Sequence, residues 1–400
     1  MDEAGPCYSF GVRNPRDDGP AGLVRLVATG RAESRAELAR LSGLAPSSVS
    51  LRVEQLIAAG LFAEEGAGAS RGGRRPRRLR LSREAGVFLA ADLGAHHARL
   101  AVLDLAGTPI ALSELACDIA AGPEATLASV VDSMRALARA HGYGDVPVRG
   151  VGLGVPGPVD PATGQVVSPS RMPGWNDFAV RDFVSAHAGA PALVENDANL
   201  MAVGEHRHSW PGLDNLMVLK LGTGIGCGVI AGGRLHQGRG AAGDISHVRI
   251  LSAATVDCSC GHPDCLEAHA SGAALADALA AQGIAVDRPS QIVELVADGV
   301  PQATSLVRTA GRLIGDVLTA LVNFFNPDAL VIGGSLSNAE PLVATVRGVI
   351  YERCLPLATR NLEIATSRAG PDASILGAGH LLLDHALTDT WIEDALTSAR

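Results

Sequence analysis

Between residues 20 and 60 the apolar positions recur every three to four residues in three short blocks, the spacing of one face of an α-helix. Leu23–Thr29 predicts a first helix. Ser34-Arg-Ala-Glu37 reads as a capping box, in which hydroxyl and carboxylate each satisfy a backbone N–H at a helix start, so a second helix is expected from there to Ser42, stopped by Gly43. Pro46 suits the first turn of a third helix, which places Val49, Val53, Leu56 and Ile57 on one face as far as Gly60. Leu61–Glu64 and Leu79–Leu81, on either side of a glycine-rich tip, predict a two-stranded wing. Residues 1–18 keep no period and read as a disordered leader.

After Ser82 the period shortens to that of strands: Val87–Leu93, Ala98–Leu105 and Ile110–Cys117, then an amphipathic helix over Glu124–His141. Further strands are expected at Val148–Val155 and Ala192–Glu195, the latter leading into a helix from Ala198. Leu216–Leu221 and Gly226–Ala231 open a second set, with helices near 266–281 and 303–325, strands at Ala329–Ile332 and Leu362–Thr366, and a last helix near 373–387. Three strands, a helix, a strand and a helix, met about twice, resemble the duplicated lobes of the actin, Hsp70 and sugar-kinase (ribonuclease H-like) α/β fold. The expected division is therefore a leader (1–18), a winged helix-turn-helix head (19–82) and a two-lobed body (83–400).

Composition narrows the class. Four hundred residues exceed one typical core, and with aromatics at 3% that core must be built from Ala, Val, Leu and Ile. No apolar run reaches the roughly 20 residues of a membrane span, and the N-terminus lacks the basic-then-apolar order of a signal peptide. The expected location is the cytoplasm, where clustered cysteines argue for metal rather than disulfides. The net charge of −9 is unevenly spread: residues 1–85 hold 14 Arg against 10 acids, a balance of +4, so the remainder carries −13. Residues 71–83 contain seven arginines and no acid, and the chain has one lysine, Lys220. An acidic body with a basic head fits DNA contact through the head alone.

Four groups of residues carry chemistry. In the head, the third helix offers Ser47, Ser48, Ser50 and Arg52 to a major groove, and the wing offers Arg71, Arg74, Arg75, Arg77 and Arg78 to a narrow minor groove. In the body, Asp92 and Gly94 lie in a strand–turn–strand where a phosphate loop would sit. Gly222, Thr223 and Gly224, with Gly333 and Gly334, form glycine-rich turns that could approach an anion, although ordinary hairpins use the same residues. Glu195-Asn196-Asp197 ends a strand; Asp197 could accept a sugar hydroxyl, or take its proton in a kinase, or merely cap the following helix. Finally Cys258, Cys260 and Cys265 fall within eight residues, with His247 eleven residues upstream of the first. That Cys3His set closes a tetrahedral structural zinc site, one ion per chain, with no open position for a reactive water.

These motifs occur in an order that resembles the ROK family (repressors, open reading frames and sugar kinases), specifically its regulator branch. The order is a wing with G-R-R-P, G-L-G-V-P-G (Gly152–Gly157), E-N-D-A-N, L-G-T-G-I-G, G-D-I-S-H, and C-x-C-G followed after three residues by C-x-E. The resemblance covers about residues 20–390. It implies that Gly157, Ser170, Asn196, Asp197, Asp244, His247 and Glu267 line a sugar site, and that His247, Cys258, Cys260 and Cys265 hold zinc, His262 being a competing ligand. Asp244 stands where the family usually has glutamate. His96 replaces the threonine, and Ala95 a glycine, of the usual D-x-G-x-T phosphate turn. The implied function is a sugar-responsive transcriptional repressor, a homodimer or homotetramer on a pseudo-palindromic duplex operator, and not a membrane protein. The alternative is an ATP-dependent sugar kinase, glucokinase-like, carrying a DNA-binding head, with Asp197 as its catalytic base. Positioning of phosphates dominates phosphoryl transfer, so the altered first loop favours the regulator.

Overall fold

Pro20 occupies the first turn of α1 (Pro20–Ala28), three residues ahead of the periodic run, because a proline has no N–H to leave unpaired there. The computed structural model describes residues 19–67, 77–250, 255–386, 391–392 and 396–397; the expected leader and the wing-tip residues Arg71, Arg74 and Arg75 lie outside them. Ser34 caps α2 (Arg35–Ser42) by accepting the Glu37 N–H at 3.3 Å. The Glu37 carboxylate takes the N–H of Glu33 at 2.8 Å rather than that of Ser34, so the box closes one residue early. Gly43 ends α2 with φ 72°, and α3 (Pro46–Ala58) buries Val49, Val53 and Leu56. Strands β1 (Phe62–Ala67) and β2 (Arg77–Leu81) pair antiparallel as the wing, Phe62 opposite Leu81.

The body contains two five-stranded sheets with one plan. The first is built from β3 (Val87–Leu93), β4 (His97–Leu103), β5 (Pro109–Ala116), β6 (Val148–Val155) and β7 (Ala192–Asn196), in the order β5-β4-β3-β6-β7. The second has β8 (Leu216–Leu221), β9 (Ile225–Ala231), β10 (Arg234–Leu235), β11 (Ala329–Gly333) and β12 (Glu363–Thr366), in the order β10-β9-β8-β11-β12. In each the first three strands are antiparallel and the last two join in parallel, so the expected duplication is present. The third strand of the second set shrinks to two residues.

Helices cover both faces of each sheet, which is why β3 and β8 read as nearly unbroken apolar runs. Helices α4 (Pro123–Ala140) and α5 (Val180–Ala188) pack on one face of the first sheet. On the second sheet lie α7 (Leu266–Ala270), α8 (Gly272–Ala280), α9 (Pro289–Ala297), α10 (Pro301–Phe325) and α11 (Glu340–Arg353), with the short α12 (Pro356–Thr359) beyond them. The sequence periodicity merged α7 and α8; Ser271, in extended backbone, divides them and caps α8 through the Ala274 N–H. It also passed over α5, α9 and α11, all short or weakly amphipathic.

Helix α6 (Asp197–Ser209) is buried on nearly every side because it lies between the lobes, against α13 (Ala373–Ala386). The two helices meet at glycines: a Cβ on Gly204 would come within 1.9 Å of the Ala373 carbonyl oxygen, and one on Gly377 equally near that of Leu200. The apolar core of the head continues into the α13-covered face of the first sheet through Phe88, Leu103, Ile375 and Leu382. Among the described residues no helix is long and apolar enough to cross a membrane.

Candidate functional site

The cleft is organised by the junction of β7 with α6. Asn196 is the helix cap: its Oδ1 accepts the N–H groups of Ala198 and Asn199 at 3.0 and 3.2 Å, and its Nδ2 donates to the Gly157 carbonyl at 3.1 Å. Capping therefore falls to Asn196, and Asp197 keeps one carboxylate oxygen for other work. Its Oδ1 accepts the Ala198 N–H at 2.8 Å, while Oδ2 lies 2.9 Å from the Lys220 ammonium. Lys220 also reaches Asp92 at 3.1 Å. Burial works against its charge, but the carboxylates of Asp197 and Asp92 outweigh that and hold its pKa above the ordinary lysine value. Beneath this junction Glu195 is buried, accepting from the Asn196 N–H at 2.8 Å, Asn199 Nδ2 at 2.9 Å and Gln237 Nε2; burial raises its pKa.

Across the cleft, the segment around Ser246 runs beside the start of α7. The Leu266 and Glu267 N–H groups donate to the carbonyls of Val248 and Ser246, each at 2.9 Å, and so bring His247, Cys265 and Glu267 together. Glu267 has 7% of its side chain exposed; Oε1 accepts from Arg171 Nε at 2.9 Å and Oε2 from the Ile225 N–H at 3.2 Å. Asp244 is exposed and accepts from the Ser246 hydroxyl. Gly157, Asn196 and Asp197 thus gather at the β7–α6 junction, and Asp244, His247 and Glu267 around the start of α7. Arg171, beside the half-buried Ser170, reaches Glu267 from the first lobe.

His247, Cys258, Cys260 and Cys265 gather their ligand atoms within 4.8 Å of one another, a set that could hold a metal ion. His247 Nδ1 faces Cys258 Sγ at 3.6 Å, and Cys260 Sγ lies 3.6 Å from Cys265 Sγ. His262 stays outside: its ring is exposed and its carbonyl instead accepts the Cys258 N–H at 3.1 Å. Burial, and after it the neighbouring thiols of Cys260 and Cys258, push the Cys265 thiol up to about 12. Three thiols so close cannot all ionise unaided; a dication relieves that repulsion, and the donor set suits zinc.

The glycine-rich turns are engaged within the fold. The carbonyls of Gly222 and Thr223 accept the first N–H groups of α8, from Gly272 at 2.9 Å and Ala273 at 3.1 Å. Gly224 abuts Glu267, and Gly334, at φ 82°, leaves no room for a Cβ beside the Leu221 carbonyl, 2.3 Å away; Gly333 packs on Met201. Gly94 donates to the His97 carbonyl at 2.7 Å in a tight hairpin whose His96 is exposed.

In the head, Ser47 is exposed on α3, with Ser48, Ser50 and Arg52 partly so. Arg77 and Arg78 belong to β2 rather than to the wing tip, Arg77 paired with Glu64 at 3.0 Å and Arg78 with Glu33. Residue periodicity could not reveal Arg171, Glu195, Gln237 or Lys220 as site residues; Lys220 carried a signal as the single lysine, and Glu195 as the first residue of E-N-D-A-N.

The ROK-family profile matches residues 88–385. The xylose repressor of Bacillus spizizenii is 30% identical over 362 residues, 88% of this chain and 92% of that one. A crystallised ROK-family transcriptional regulator, a homologue of the E. coli MLC protein, superposes with a TM-score of 0.76 at 25% identity, covering 96% of this chain and 99% of that one. A ROK-family glucokinase from Streptomyces griseus, solved with glucose and AMPPNP, superposes at 0.62 with 28% identity, but over only 74% of this chain against 99% of its own. With a profile matched across both lobes and a repressor aligned along nearly the whole length, this chain belongs to the ROK family.

Proposed function

We propose that this protein is a sugar-responsive transcriptional repressor whose hold on a DNA operator is set by a monosaccharide in the cleft between its lobes. The observation that carries the reading is the helix-turn-helix head joined to the two-lobed body. The regulator likeness extends over 96% of the chain, whereas the glucokinase likeness stops at 74%. The head corresponds to residues 19–82 and the sensor to 83–400.

Ser47, Ser48, Ser50 and Arg52 would meet base edges, and Arg71, Arg74, Arg75, Arg77 and Arg78 the phosphates and minor groove. For Arg77 and Arg78 this requires exchanging Glu64 and Glu33 for phosphate, both pairs being partly solvent-exposed and hence weak. Sugar hydroxyls would be held by Asp197 and Glu267, with Gly157, Ser170, Asn196, Asp244 and His247 around them. Asn196 contributes mainly by shaping the turn, since both ends of its side chain are already engaged.

His247, Cys258, Cys260 and Cys265 would hold one structural zinc, which ties the Asp244–His247 segment to the start of α7 and so fixes Glu267. With Nδ1 on the metal side, the His247 Nε2–H is left to donate to a sugar oxygen. A hydroxyl reaching Glu267 competes with Arg171, which projects from the first lobe. Replacing that bridge by sugar alters the contact between the lobes, and the head follows through the shared core.

Phe324, Leu355, Leu357 and Tyr351 are exposed apolar residues of the second lobe, and the Leu355 N–H donates to Asn323 beside Phe324. They support a homodimer or homotetramer, which would present two heads to a pseudo-palindromic operator inside the cell. Sugar and DNA must then change each other's affinity by the same factor.

The test is a fluorescence-anisotropy titration of an operator selected from random duplexes, with and without xylose, glucose or N-acetylglucosamine. The xylose-repressor relative puts xylose first. One sugar should shift operator affinity at least fivefold, and deletion of residues 1–82 should abolish DNA binding while sugar binding persists. Turnover above about one per second with ATP, magnesium and that sugar would instead make the chain a kinase.

A further inference from the structure

Lys220 is the only lysine among 33 Lys and Arg residues, so at every other cationic position this chain uses a guanidinium. Its place is particular. The duplication puts Asp92 at the penultimate residue of β3 and Lys220 at the penultimate residue of β8, the first strands of the two sheets. Between them stands Asp197 at the start of α6, and the ammonium contacts Asp197 at 2.9 Å and Asp92 at 3.1 Å. All three side chains are largely buried, 14–22% exposed, and Asp92 Oδ1 has no hydrogen-bond partner among the described residues. Two carboxylates brought this close in a low-dielectric floor cannot both stay ionised without a cation between them. A compact ammonium acts there as a point charge shared by both carboxylates.

We propose that Lys220 is a built-in counter-cation occupying the position a divalent metal would take between Asp92 and Asp197, so that the floor of the cleft is neutralised and the two lobes are tied without a metal–nucleotide complex. The inference deepens the sensor reading, because it explains how a kinase-like cleft stays closed on its own charges. It also pairs Asp197 Oδ2 with a cation, leaving that oxygen a lone pair with which to accept a sugar hydroxyl.

The experiment uses the full-length, zinc-saturated protein and Mn2+ alone, followed by electron paramagnetic resonance. Wild type should show no saturable Mn2+ binding. Lys220→Met, which keeps the apolar stem and removes the charge, should bind one Mn2+ per chain at least tenfold more tightly than wild type, and its Tm should rise with Mn2+ while that of wild type does not. Adding Asp92→Asn to Lys220→Met should abolish the new binding. Saturable Mn2+ binding by wild type that Asp92→Asn removes, or a folded Lys220→Met that gains no Mn2+ affinity, would overturn the proposal. Should Lys220→Met fail to fold, the uncharged triple variant Asp92→Asn, Asp197→Asn, Lys220→Met should recover folding, since removing all three charges leaves none unpaired; an unfolded triple variant would count against the proposal. None of these measurements involves sugar or operator, so failure of the repressor reading shows up separately.

Discussion

Replacing Glu267 with Gln isolates the chemistry of the cleft from its shape. The carboxylate accepts one donor on each oxygen, Arg171 Nε at 2.9 Å and the Ile225 N–H at 3.2 Å. A glutamine of nearly the same volume can accept on one side only and presents N–H groups on the other. The Ile225 N–H is buried backbone and cannot move, so the amide oxygen should turn to it. The amide nitrogen then faces Arg171, whose side chain is 39% exposed and can swing into water. The folding cost should therefore be small, about 1 kcal/mol for one lost hydrogen bond. Sugar affinity should fall further, because a hydroxyl that donated to a charged carboxylate loses a bond worth about 1.5–3 kcal/mol, or roughly 10- to 150-fold. Calorimetry with the sugar that wild type binds, alongside Tm and metal content, measures all three effects. Sugar affinity within twofold of wild type would refute the placement of Glu267 at the ligand. A large loss accompanied by loss of metal would shift the explanation from the carboxylate to the cysteine knuckle.

Cys260→Ala should leave less than one equivalent of zinc per chain by plasma emission analysis and weaken sugar binding, because the knuckle holds Glu267; full sugar affinity without metal would disprove the link. His380 on α13 offers a pH test. Burial, and after it the nearby Arg207, His208 and His206, lower its pKa to about 4, so it is neutral in the fold. The folded value lies below the unfolded 6.5, so its contribution is complete above pH 6.5 and is lost as pH falls from there towards 4. By pH 5 the loss should be about 2 kcal/mol. Denaturant unfolding at pH 7.5 and 5 should show His380→Gln losing less stability than wild type by that amount, and equal losses would exclude the mechanism.

Features set by local rules were readable from the chain itself. Ser34, Gly43 and Pro46 mark the helix ends of the head, and Val49, Val53 and Leu56 are buried as their spacing requires. Cys258, Cys260 and Cys265 lie close together in sequence, so a metal-binding loop was legible, as were the strand runs that betray the duplication. What sequence could not supply were contacts between distant segments. His247 and His262 both have suitable spacing, and only the pairing of the Ser246–Val248 segment with the start of α7 selects His247. Asp197 could have been a cap or a ligand until Asn196 took the capping role. Arg171 meets Glu267 across 96 residues and Lys220 meets Asp92 across 128, through the closing of one lobe on the other. Periodicity and propensity act over a few residues, whereas a buried charge is satisfied by whichever partner the packing of whole sheets brings within 3 Å; that partner is decided only when the lobes meet.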